Sequence, residues 1–317
     1  MVSAWVIALM WALAISLFAL RRNQKDKTIV LAAVVFALAA TAQEPTFYST
    51  IDSFLGGRNL VRLIGSISFM IGAYLLSRAL SSTRTWTRAR KNAERIILGF
   101  AIAVAIGSFL LIPMGDGTAA DFILEYGHTH QAAMHSSTQF IYIGYVLVIL
   151  GVVASQTLRN AAAAYRERIA AVFLLIGSVL GVMLSGAITY MNVENASGHI
   201  DVVLRAAPYV KALNGLAVLF LVVGAGYTPL VRWMTQKRWD FRTARLLREV
   251  TPLWEDATTA RPSLRLATDA ASSELRLHRR IVEIRDAEMD RRNSFTLDTA
   301  QQKVLASAEG HLMAGRA

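Results

Sequence analysis

The chain contains no cysteine, which excludes disulfides, thiolate nucleophiles and cysteine-bearing metal centres. Acidic residues are few, 22 against 33 Lys and Arg. None falls deep within an apolar run, so a carboxylate proton relay through lipid is not expected. A Gly-rich phosphate loop, an HExxH helix, paired catalytic carboxylates and a Ser-His-Asp constellation are all missing, so the reading is of a non-enzyme without a cofactor. Three segments, 43–57, 114–139 and 190–201, lack Lys and Arg altogether. That last absence carries the most information.

What is present is apolar. Hydrophobic residues make up 54% of the 317, mean hydropathy is +0.41, and apolar runs close to the length of a bilayer crossing recur along the chain. We place spans at 3–20, 28–42, 61–80, 96–113, 139–157, 168–190 and 207–231. The second is short and must tilt little, thin the bilayer or borrow length from Pro45–Tyr48. Between the spans, basic residues alternate with the basic-free segments: Arg21, Arg22, Lys25 and Lys27; Arg78, Arg84, Arg88, Arg90, Lys91 and Arg95; Arg159, Arg166 and Arg168. Cytoplasmic loops retain such charges. The expected fold is therefore all-α and integral to the cell membrane: seven transmembrane helices, N-terminus outside, C-terminus inside, then a short helical cytoplasmic tail. The first run has no basic residue before it and reads as a retained anchor, not a cleaved signal.

The formal charge of +11 follows from this topology. Most basic residues outside the inner loops come after Val231, where anionic inner-leaflet lipid is the expected partner, and nucleic acid is not. We divide the chain into 1–231, the transmembrane domain; 232–271, a basic juxtamembrane helix and linker; and 272–317, a helical tail. Over 233–250, Lys237, Arg238, Arg242, Arg245 and Arg248 alternate with Trp239, Phe241, Leu246 and Leu247, a pattern that fits a helix lying on the inner membrane face. A loop with Pro252, Leu253, Trp254 and Pro262 is expected next. Ser272 and Ser273 can cap a helix over 273–292, and Asp298 can open another.

Four groups of residues are candidates for function or assembly. Arg58, Arg62, Arg205 and Lys211, with Asn214 one turn deeper, stand at outer helix ends and suggest a cationic vestibule for an anionic solute; snorkelling interfacial cations are the simpler alternative. His128, His130 and His135 lie in an outer loop with Asp116, Asp121 and Glu125, where imidazole and carboxylate suit a borderline metal or a pH response. A solvated loop with incidental histidines is the plainer reading, and a metal-dependent membrane enzyme the remoter one. Gly177, Gly181, Ser185 and Thr189 recur every fourth residue and form a small-residue seam, for packing within the chain or for a homo-oligomer.

The fourth group is the tail. Leu277, Ile281 and Ile284 form a stripe flanked by Arg280 and Arg285, which with Trp254 could dock a cytoplasmic protein or pack within the tail itself. The stretches Pro252-Leu253-Trp254-Glu255-Asp256-Ala257-Thr258 and Glu274-Leu275-Arg276-Leu277-His278-Arg279-Arg280-Ile281-Val282-Glu283-Ile284-Arg285-Asp286 resemble the tail of an uncharacterised actinobacterial family of seven-helix membrane proteins that carries a provisional transporter label. The resemblance implies a multi-pass membrane protein with a cytoplasmic tail of unknown function, and brings no catalytic residue or substrate. Solute transport is the function it implies; a membrane sensor or scaffold signalling through the tail is the alternative.

Overall fold

A computed structural model describes residues 4–20, 27–81, 88–115, 117–119, 122–259, 272–290 and 295–314. Every regular element among them is a helix: α1 (Ala4–Leu20), α2 (Thr28–Ala42), α3 (Pro45–Phe54), α4 (Leu60–Ser81), α5 (Arg88–Leu110), α6 (Phe122–Tyr126), α7 (His130–Arg159), α8 (Tyr165–Ala196), α9 (Ile200–Thr259), α10 (Ser273–Met289) and α11 (Thr299–Ala314). Two compact units emerge, Met1–Val231 and Arg232–Ala317.

The first unit is membrane-embedded. Helices α4, α5, α7, α8 and α9 are each long and apolar enough to cross a bilayer. Ile96 and Phe100 on α5 are 71% and 72% exposed, the inverse of a water-soluble helix and the pattern expected where lipid is the solvent. The expected count of seven is not met by length and composition. α1 has 17 residues and α2 has 15, about 26 and 23 Å at 1.5 Å per residue against a core of about 30 Å. Nor does the chain after Ala42 lengthen α2 in a straight line. Pro45 opens α3 after an 85° bend, and the Glu44 carboxylate caps it by accepting from Thr46 N and Phe47 N at 2.9 and 3.2 Å. Counting that bent pair as one crossing gives six.

Packing in this unit depends on close backbone approach. The α7–α8 hairpin turns in a few residues, where Arg168 donates to the Asn160 and Ala161 carbonyls. A Cβ on Gly144 would meet Ser185 at 3.1 Å, and one on Gly181 would meet Leu147 at 2.5 Å. On the same seam, a Cβ on Gly177 would lie 2.9 Å from Leu221 of α9. The small residues thus seat α8 against two neighbours within one chain. Elsewhere Gly72 of α4 lies under the Phe36 ring of α2, and Met70, Ala73, Ala101, Ala105, Tyr142 and Val146 close the space between α4, α5 and α7.

In the second unit the juxtamembrane expectation is corrected. No loop begins at residue 251: the helix runs through Pro252, whose missing N–H costs one ladder bond, to Thr259. Its apolar residues Leu246, Val250, Leu253 and Ala257 are buried with Leu277, Ile281, Ile284 and Ala287 of α10 and Leu305, Ala308 and Leu312 of α11. They form the core of a three-helix unit and are not a lipid-facing stripe. Ser272 caps α10 through Leu275 N at 3.2 Å. Asp298 and Gln301 cap α11 reciprocally, each side chain accepting from the other's backbone N–H. Pro262 lies outside the described residues.

Candidate functional site

Between α1, α2, α4, α7, α8 and α9, within the first unit, lies a cavity of about 630 Å³. Most of its polar lining residues, Gln43, Tyr48, Arg62, Gln139, Asn192, Lys211 and Asn214, belong to the halves of the helices that face the basic-free segments, and Ser185 lines it from within α8. Its other end is wholly apolar, with Leu17, Ile29, Leu76, Val222 and Ala225. On α4 the lining runs from Arg62 to Leu76, about 21 Å of helix at 1.5 Å per residue, and on α9 from Val203 to Ala225, about 33 Å.

Arg62 is held from two sides. It donates to Gln43 Oε1 at 2.7 Å, and its guanidinium lies 5.5 Å from the centroid of the Phe122 ring. Gln139 is 4% exposed, and its Oε1 has no hydrogen-bond partner among the described residues. Asn192 donates to Ser137 Oγ at 3.2 Å. Of the five vestibule candidates, the structure brings Arg62, Lys211 and Asn214 to one cavity. Arg58 is exposed and is not in the lining. Arg205, also exposed, pairs with Asp201 one turn before it, a surface pair that contributes little.

A buried polar knot fixes this end of the unit. Asp52 and Asn59 are both 0% exposed. The Asp52 carboxylate accepts from Asn59 N at 2.9 Å, Val61 N at 3.2 Å and Thr118 Oγ1 at 2.8 Å, so it satisfies the free N–H groups at the start of α4 from a distance in sequence. Asn59 Oδ1 in turn accepts from Tyr48 OH at 2.7 Å and Ala119 N at 2.9 Å. Asn59 has φ of 56°, a left-handed conformation that asparagine tolerates. The neighbouring Gly56 and Gly57 also have positive φ, 91° and 64°, which glycine adopts at no steric cost; the sequence carried no sign of the partners of Asp52.

The histidines separate. His135 lies inside α7 at 0% exposure, its Nδ1 2.9 Å from the Ala105 carbonyl and its Nε2 3.2 Å from Ser66 Oγ. A carbonyl can only accept, so Nδ1 carries the proton and Nε2 is left to accept from Ser66. Both ring nitrogens are engaged in packing α7 against α4 and α5. His128, His130 and Glu125 are exposed, Asp116 and Asp121 lie outside the described residues, and no group of three His, Asp or Glu among the described residues is placed to hold a metal. Glu94, which precedes the fourth apolar run, falls within α5 and is 5% exposed, with Arg90 and Arg78 the nearby cations that act on it.

In the tail, the residues proposed for docking are structural. Leu277 and Ile284 are 0% exposed and Ile281 6%. Glu283, 4% exposed, accepts from Arg279 Nε at 2.9 Å and from Trp254 Nε1. Arg280 lies 4.7 Å from the Trp254 ring centroid and donates to Thr251 Oγ1. Arg285 bridges Glu288 at 2.7 Å and Glu309 at 2.8 Å, and these carboxylates raise its pKa further above the ordinary arginine range. The Arg-Arg-Ile-Val-Glu-Ile-Arg-Asp run therefore joins the three tail helices to one another. Residues 232–316 match a family of unknown function (DUF6545). The match covers the second unit and both tail stretches of the resemblance, and carries neither a transporter label nor a source organism. No curated protein and no solved structure matches the chain.

Proposed function

We propose that this is a multi-pass plasma-membrane protein, N-terminus outside, that admits a small solute from the outer side into the α1–α2–α4–α7–α8–α9 cavity and moves it across the bilayer. The observation that carries this reading is the cavity itself, which is of the size of small-molecule sites, mostly apolar, with a few convergent polar groups at one end. In this arrangement α1 and α2 are the short sixth and seventh crossings, with α3 at the outer interface. The basic-free segments and the basic residues between them support that orientation.

The natural absence of cysteine makes the topology simple to test. A cysteine at Ser197 should react with a membrane-impermeant maleimide in intact cells, and one at Ala163 should react only after permeabilisation; the reverse pattern would overturn the orientation. For the cavity, Val218→Trp places a large ring in the lining and should abolish flux in proteoliposomes. Unchanged flux with the cavity filled would remove the transport reading.

A second reading, a sensor that signals through its tail, draws on α9. The same helix supplies Lys211 and Asn214 to the cavity and Leu246 and Val250 to the tail core. If deletion of residues 233–317 abolished a cellular response while flux persisted, the sensor reading would be preferred.

A further inference from the structure

The cavity's two ends differ in chemistry, and that difference specifies an occupant. At one end Arg62 and Lys211 supply positive charge, and Gln139 and Asn214 supply amides. Beyond Arg62 on α4 and Asn214 on α9 the lining offers only hydrocarbon, as far as Leu76 and Ala225. Water does not fill an apolar space of this kind, because it finds no polar partners there. A compact hydrophilic anion would satisfy the cations and leave the apolar shaft empty.

We propose that the cavity binds a single-chain amphiphile with an anionic head, a carboxylate or phosphate monoester, its head between Arg62 and Lys211 and its chain running toward Leu76 and Ala225. This deepens the solute-site reading above and rests on it. The volume favours a free single chain over the two-chain lipids of the bilayer: at about 630 Å³, it is that of a site for one small molecule. Gln139 Oε1, in a side chain 4% exposed and without a hydrogen-bond partner among the described residues, can only accept, so the O–H of a phosphate monoester or a water bound to the head would complete it.

Because the surrounding lipid is as apolar as the shaft, burial of the chain adds little preference over the bilayer. Selection must come from the head. The cations therefore decide binding, and the shaft decides which head-bearing molecules fit.

The test uses the full chain in nanodiscs of zwitterionic lipid and a palmitate analogue with a photoreactive diazirine near the chain terminus, with adducts located by peptide mass spectrometry. Adducts are expected at the apolar end, on Leu76, Val222 or Ala225. They should be competed by palmitate or by hexadecyl phosphate, whichever head is preferred, and not by hexadecanol or a diacyl phosphatidylglycerol. Combining Arg62→Gln with Lys211→Gln should lower labelling about tenfold or more, as expected for lost hydrogen bonds to a charged group. Arg62→Lys should retain part of it, and an unchanged elution profile shows that these variants fold. Equal competition by hexadecanol, or adducts confined to outward residues such as Ile96 and Phe100, would overturn the proposal. So would competition by the diacyl lipid. Should labelling of the lining fail while Val218→Trp still blocks flux of another solute, the amphiphile is wrong and the cavity reading stands. If that variant leaves flux untouched as well, both fall.

Discussion

The two units bury their helices by opposite means. In the first, α8 approaches α7 and α9 at Gly144, Gly181 and Gly177, where any added Cβ meets a neighbour at 2.5–3.1 Å, while large side chains such as Ile96, Phe100 and Ile141 point outward. In the second, Leu277, Ile281, Ile284 and Leu305 are sealed inside, and the helices are tied by Trp254–Glu283 and Arg285–Glu309. Solvent explains the contrast. Lipid gives no reward for hiding a large apolar side chain, so helices associate by backbone proximity and shape; water does, so the tail buries its aliphatics and surrounds them with charge. The consequence is functional: a bundle held by small residues can leave a cavity of about 630 Å³, whereas the tail spends its apolar surface on its own core.

The comparison can be broken most sharply at the tail core. Ile284→Asp should unfold the second unit, since a buried aspartate without a partner costs several kcal/mol, about 3 or more. Hydrogen exchange on the full chain should show protection lost across α10 and α11 and retained in α7 and α8; loss in both would mean the units do not fold separately. Next in size, Glu283→Gln weakens the contacts with Arg279 and Trp254 together and should destabilise the tail by about 2–3 kcal/mol. Chemical denaturation followed by tryptophan fluorescence would read it. Gly181→Val tests the other means of packing: overfilling against Leu147 should cost about 1–3 kcal/mol, seen as a lower midpoint of detergent-induced unfolding, while Gly186→Ala, where nothing lies within 4 Å of the added Cβ, should not.

A smaller effect separates the units by pH. His311, 4% exposed, stacks on Trp239 with ring centroids 3.8 Å apart, and its Nε2 is 2.8 Å from Thr243 Oγ1. That hydroxyl already donates to the Trp239 carbonyl, so Nε2 donates to it. Burial, with Arg242 adding to it and Glu274 opposing, lowers the His311 pKa below its ordinary 6.5. A depressed histidine binds its proton more readily when unfolded, so tail stability is full above pH 6.5 and falls as pH drops below it, towards the lower folded-state value. His311→Gln should flatten that decline. Smallest of all, Arg205→Ala removes an exposed pair with Asp201 and should change stability by under about 0.5 kcal/mol and leave flux as it was.

Much of the local structure was legible residue by residue. Ser272 and Asp298 marked helix starts because their short side chains reach the free N–H groups of a first turn, and the four-residue recurrence of Gly177, Gly181 and Ser185 marked a close approach because helical geometry puts them on one face. The site was less legible. Arg62, Lys211 and Asn214 were visible as polar residues at helix ends, but Gln43, Gln139 and Asn192 carried no signal, since an amide within a span packs against a neighbour as readily as it lines a cavity. The tail misled in the other direction. The alternation of Lys and Arg with Leu246 and Leu247 is the same for a helix on a membrane and a helix in a small core, and α10 and α11 decided between them.

From sequence alone came the apolar helices, their punctuation and the distribution of charge, because each depends on neighbours within a turn or a loop. Which of those helices surround an opening, that His135 is locked by Ser66 and Ala105, and that the Arg-Arg-Ile-Val-Glu-Ile-Arg-Asp run closes on its own unit were settled by tertiary structure. Those facts depend on residues tens of positions apart meeting in space, and local pattern holds no record of such meetings.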